Sequence, residues 1–145
     1  MSQSEQQLLE TLTQQILDEA TRQGASAAEA GSRVEEGYTS TVRMGEVETI
    51  EHHKDRGMGV TVYFGEHKGT ASTSDFSSDA VVQAVRAACD IARYTQADEY
   101  AGLADPEQLA SEFPELELDH PWSVGVEESI DLAKRCEQSA LEYDP

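Results

Sequence analysis

The chain is expected to fold as an α+β domain: an antiparallel sheet of four or five strands covered by two or three helices. Three observations predict this. An apolar stripe with helical spacing opens the chain, and runs of Val, Thr, Tyr, Phe and Ile broken by glycine fill residues 25–75. A second helical stripe then follows at once.

Leu8, Leu9, Leu12, Ile16, Leu17 and Ala20 recur at spacings of three and four, which predicts a leading helix within 1–24, with Gly24 suited to a left-handed stop. In the strand region, 25–75, Val60, Val62 and Phe64 alternate with Thr61 and Tyr63, so one sheet face is apolar and needs a cover. Gly65-Glu66-His67-Lys68-Gly69 reads as the turn of a hairpin that leads into Thr70–Ser74. Ser77 or Ser78 caps a helix over 77–93, Asp79 favours its positive end, and Val81, Val85, Ala88, Cys89 and Ala92 form its apolar stripe. Residues 94–125 hold Pro106, Pro114 and Pro121 among acidic side chains and read as an irregular connection with one helical turn after Pro106. A last helix is expected over 126–143, with Ile130, Ala133, Ala140 and Leu141 as its apolar positions. The chain, 1–145, is read as one domain, and an end without a glycine cap suggests a piece of a longer protein.

Charge narrows the function classes. Ten basic against 29 acidic side chains leave a formal −19, a surface that repels phosphate backbones and anionic headgroups, so neither direct nucleic-acid binding nor a membrane partner is expected. No run approaches the roughly 18 apolar residues of a membrane span, and Met1–Glu10 is polar where a secretory signal is apolar; a cytoplasmic location is expected. Cys89 and Cys136 read as small buried hydrophobes of a reducing compartment. Residues 94–145 alone carry 14 acidic and two basic side chains. Such a run is either a solvated face, as in a salty cytoplasm, or a docking patch for a basic partner.

Self-contained chemistry is sparse. None of His52, His53, His67 and His120 stands in the HExxH spacing that sets two imidazoles on one helical face around zinc. His52 and His53 are neighbours in a strand and point to opposite faces, which argues against one shared ion. They remain, with His67, the candidate metal ligands; Glu51, His52 and Asp55 could meet His67, although polar residues near turns are more often solvated. No G-x-S-x-G elbow and no CxxC pair is present. Gly57-Met58-Gly59 lacks the following helix of a phosphate loop and reads as a bulge or a close backbone approach. Trp122, after Pro121, reads as an anchor at the entry to the last helix.

The stretch Gly45–Asp105 resembles the N-terminal domain of the TldD/PmbA family, and within it the PmbA (TldE) branch. The resemblance is carried by GEVE at Gly45–Glu48, GMGVTVYF at Gly57–Phe64, KGTAST at Lys68–Thr73, DIARYT at Asp90–Thr95 and AGLAD at Ala101–Asp105. LDHP at Leu118–Pro121 and the flanking helices fit more loosely. These motifs are structural rather than catalytic.

The resemblance implies the first domain of a cytoplasmic metalloprotease built from paired TldD and PmbA subunits, which trims peptide-antibiotic precursors, degrades an antitoxin and was once linked to DNA gyrase. It also implies that zinc belongs to an HExxxH helix of the TldD-type subunit, so this domain holds neither cofactor nor catalytic residues. Its expected partners are that subunit and a peptide or unfolded protein substrate. The expected contribution is to the substrate chamber or to subunit assembly, with Gly65, Glu66, His67, Lys68 and Gly69 as candidate surface. Two readings compete: an acidic, non-enzymatic regulator or decoy acting on DNA gyrase or another basic partner, and an autonomous hydrolase using His52, His53 or His67.

Overall fold

The computed structural model describes residues 3–118, 120 and 122–143. Asp119 and Pro121 of the Leu118–Pro121 motif lie outside the described residues, as do Met1, Ser2, Asp144 and Pro145. The elements run α1 (Gln3–Arg22), β1 (Ala27–Arg43), β2 (Glu46–Phe64), β3 (His67–Thr73), α2 (Ser78–Tyr94), a 3-10 turn (Pro106–Gln108) and α3 (Val126–Tyr143). The fold is α+β, with an antiparallel sheet in the order β1-β2-β3.

Among the described residues the sheet has three strands rather than four or five. The cause is the length of β2, whose 19 residues run unbroken through Gly57 and Gly59. Those glycines read as strand breaks, yet both sit in regular pairing or beside it: Gly59 opposes Ser72, and Val60 opposes Ala71.

The chain divides into two compact units, Met1–Val34 with Arg56–Leu118 and Glu35–Asp55 with Asp119–Pro145. The first holds the apolar core. Met58, Val60 and Val62 alternate along β2 and are buried against Leu12, Ile16 and Ala20 of α1 and Val81, Val85, Ala88, Cys89 and Ala92 of α2. Each fully buried valine or isoleucine there contributes ~1.5–3 kcal/mol. Gly69 of β3 lets α2 approach the sheet, for a Cβ at that position would lie 2.1 Å from the Ala88 carbonyl oxygen and 2.5 Å from the Ala92 nitrogen.

The end of α1 and the start of α2 are chemically closed. At α1, Gly24 takes φ +85°, the Ala25 N–H donates to Ala20 O and the Gly24 N–H to Thr21 O, the paired bonds of a Schellman stop. At α2, Ser77 Oγ accepts the Ala80 N–H at 3.3 Å, and Asp75 Oδ1 accepts the Ser77 N–H at 2.9 Å.

The second unit joins the outer part of the β1–β2 hairpin to α3. No α3 residue is fully buried, and Cys136 is exposed, contrary to its expected burial, because this helix packs on a two-stranded arm and not on a closed core. Ser40 Oγ and Ser129 Oγ are bonded at 2.7 Å. No helix among the described residues is long and apolar enough to cross a membrane.

Candidate functional site

The Gly65–Gly69 turn is closely tied to its surroundings. Gly65 adopts φ +61°, a left-handed conformation that favours glycine, and its N–H donates to Ser26 Oγ at 2.9 Å. Glu66 O accepts the Asp98 N–H at 3.0 Å, and His67 Nδ1 lies 2.7 Å from Thr95 O, so His67 donates to the end of α2. Gly69 is buried. The side chains this turn presents to solvent are therefore Glu66 and Lys68.

The adjacent histidines do face opposite ways. The His53 ring lies over Gly37, where a Cβ would come within 2.8 Å of it. The His52 ring stacks on Tyr38 at a centroid distance of 4.6 Å, and its Nε2 bonds Glu36 Oε1 at 3.1 Å. Lys54 Nζ meets the other Glu36 oxygen at 3.1 Å. The Lys54 and His52 hydrogen bonds hold the Glu36 carboxyl below the usual carboxylate range. Among the described residues, no three His, Cys, Asp or Glu side chains come together to hold a metal ion.

On the sheet face turned away from the helices, the first unit carries a shallow groove of about 540 Å³. Gly31, Gly57 and Gly59 form its floor, with Arg33, Ser72 and Ser74 beside it. A second hollow of about 360 Å³ continues over Glu29, Thr61 and Thr70. Thr61 and Thr70 share a hydroxyl bond of 3.1 Å, and Tyr63 donates to Glu29 Oε1 at 2.9 Å. Burial, and then that carboxylate, push the Tyr63 phenol up. Arg33 has no ion pair among the described residues, whereas Arg56 is held by Ser74 O at 3.0 Å and by the Phe76 ring at 5.2 Å.

The second unit holds a groove of about 590 Å³ between the hairpin and α3. Tyr38, Trp122, Val124, Leu132, Ala133 and Cys136 give it an apolar lining, and Glu36, Ser40 and Ser129 supply polar atoms. Trp122 is 74% exposed, so it lines an open groove instead of anchoring the helix entry. Sequence reasoning missed Tyr38 and Leu132. The available signal was aromatic and aliphatic side chains among acidic ones, but only the packing of α3 on the hairpin brings them together.

Residues 28–92 match the family model described as PmbA/TldA metallopeptidase domain 1. Over 141 residues the chain is 42% identical to metalloprotease PmbA of Escherichia coli O157:H7, covering 97% of this chain and 31% of that protein. It is 43% identical over 125 residues to the metalloprotease PmbA homolog of Haemophilus influenzae, covering 86% and 28%. The chain thus spans about a third of the length of these relatives. Its fold is shared by two solved structures. One is a Bacteroides thetaiotaomicron protein described as a candidate modulator of DNA gyrase, at TM-score 0.75 and 21% identity, covering 93% of this chain and 31% of that one. The other is TldE of Thermococcus kodakarensis, at TM-score 0.64 and 15% identity, covering 92% and 30%.

Proposed function

This chain belongs to the PmbA/TldD metallopeptidase family, and we propose that it serves as the first domain of a PmbA-type (TldE) subunit in a cytoplasmic metallopeptidase complex. The observation that carries this reading is the 42% identity to a metalloprotease PmbA along 97% of the chain. The described residues do not fit a zinc ion, because no cluster of three suitable donors forms. The reading keeps zinc where the family resemblance puts it, on an HExxxH helix of a TldD-type partner, and gives this domain no chemical step.

Its contribution is to the substrate chamber or to subunit assembly during cleavage of peptides and unfolded small proteins. Two features support that role. Among the described residues β3 pairs with β2 along one edge only, which leaves the other edge as a template for an extended peptide. The turn that leads from β2 into β3 projects Glu66 and Lys68, and its fixed backbone would present them to a partner without a backbone ordering cost.

Co-purification from the source cells tests the reading. An antibody against this domain should bring down a second subunit carrying HExxxH, and the pair should cleave an unfolded peptide. Deleting Gly65–Gly69 should weaken either association or cleavage. A product that came down alone, or with a basic partner that moderate salt released, would replace the protease subunit with the acidic regulator.

A further inference from the structure

We infer that the groove between the β1–β2 hairpin and α3 is a docking site for a basic amphipathic segment of a partner protein. The inference goes beyond the peptidase reading and does not depend on it.

The groove is built like a recognition surface. Tyr38 is 44%, Leu132 37% and Trp122 74% exposed, and they converge with Val124, Ala133 and Cys136 on one hollow of about 590 Å³. Aromatic side chains left open to water beside an aliphatic floor are the usual anchors of an interface, since they lose little side-chain entropy on binding. The floor is also fixed beforehand. Ser40 bonds Ser129 across it, and Glu137 holds the hairpin turn, so strand and helix keep their separation without an occupant.

Charge selects the occupant. Residues 35–55 and 119–145, which make up this unit, carry 13 acidic and four basic side chains. One of those cations, Lys54, is taken by Glu36, and another, Arg43, lies 3.9 Å from Glu48. Glu35, Glu127, Glu128 and Asp131 are exposed in the same unit. An apolar hollow in such surroundings repels an acidic or otherwise anionic ligand and favours one that brings leucine-like side chains on one face and lysine or arginine on the other. A helix with apolar residues at i, i+3, i+4 and i+7 has that form.

Cys136 gives a direct readout, because it lines the groove and is exposed, while Cys89 is buried in the other unit and serves as the internal control. The experiment follows maleimide labelling of the Cys136 peptide by mass spectrometry in the intact protein. The probe is a peptide of about 14 residues with leucines at helical spacing and lysines elsewhere. This peptide should slow Cys136 labelling about tenfold at low ionic strength and much less at high salt. Versions with glutamate for lysine, or serine for leucine, should give no protection. Trp122→Ser and Leu132→Ser should each abolish protection with Cys89 still unreactive and with amide exchange at Met44 and Gly45, which Glu137 holds, unchanged, which shows that both units keep their fold. Equal protection by either altered peptide, protection untouched by both substitutions, or none from the leucine–lysine peptide would overturn the assignment. Cleavage plays no part in the readout, so the fate of the peptidase reading leaves this result standing.

Discussion

Glu137 grips the backbone at Gly45: its Oε2 accepts the Gly45 N–H at 2.7 Å while Oε1 accepts that of Met44 at 2.6 Å. The turn needs the help. Met44 and Gly45 both have positive φ, +54° and +77°, the two-residue hairpin geometry that asparagine and glycine tolerate and a methionine resists. A left-handed non-glycine residue costs roughly 1–2 kcal/mol, and two charge-assisted bonds of this kind offset about that much. Glu137→Ala should therefore speed amide exchange at Met44 and Gly45 while Val62 keeps its protection. Met44→Asn, which gives up a side chain 80% exposed, should slow exchange at the same turn.

Gly69 sets the distance between the sheet and α2. Any side chain there meets backbone, at 2.1 Å from Ala88 O and 2.5 Å from Ala92 N, and backbone cannot rotate away as a side chain would. Gly69→Ala should cost about 1–3 kcal/mol or more and lower the melting temperature by several degrees. The comparison is Gly65→Ala, where nothing lies within 4 Å and only the φ of +61° is strained. Its cost should stay near 1 kcal/mol. Equal melting temperatures for the two variants would contradict close packing as the role of Gly69.

The helical stripes were legible because local periodicity decides them. Val81, Val85, Ala88, Cys89 and Ala92 repeat at threes and fours, and all five are buried. Strand number was not legible, since Gly57 and Gly59 look like breaks in isolation and are absorbed only when β3 pairs beside them. Most of the resemblance motifs lie in this sheet and in α2, so they gave the family without giving a site. Tyr38 and Trp122 are far apart in the chain, and no spacing rule connects them. Histidine positions were equally uninformative about chemistry: His52, His53 and His67 each find a separate local contact, with Tyr38, Gly37 and Thr95.

The two thiols should behave oppositely. Cys89 has no exposed surface, and burial pushes its thiol up, which lowers the thiolate fraction that reacts. Cys136 is exposed. Under native conditions an alkylating reagent should modify Cys136 within minutes and Cys89 only after denaturant is added. Rapid modification of both in buffer would show that α2 opens far more readily than its core packing implies.

Asp75 ties the start of α2 to acid stability. Its Oδ1 accepts the Ser77 N–H at 2.9 Å, and the Ser77 hydrogen bonds hold its carboxyl below the usual range, with Arg56 adding a smaller push in the same direction. A carboxyl whose pKa is lower in the folded state than in the unfolded one contributes stability above its unfolded pKa. That contribution is lost as pH falls through the folded value. The window therefore opens near pH 4, the ordinary aspartate range, and extends downward. Other carboxylates titrate in the same region, so the informative quantity is the difference between the wild type and Asp75→Asn, which keeps the acceptor oxygen and removes the charge from the helix N-terminus. Melting temperatures should favour the wild type at pH 6, and the two curves should converge in strong acid. A gap that stayed constant from pH 6 into acid would mean that Asp75 acts through shape alone, and that its charge does not contribute to the cap.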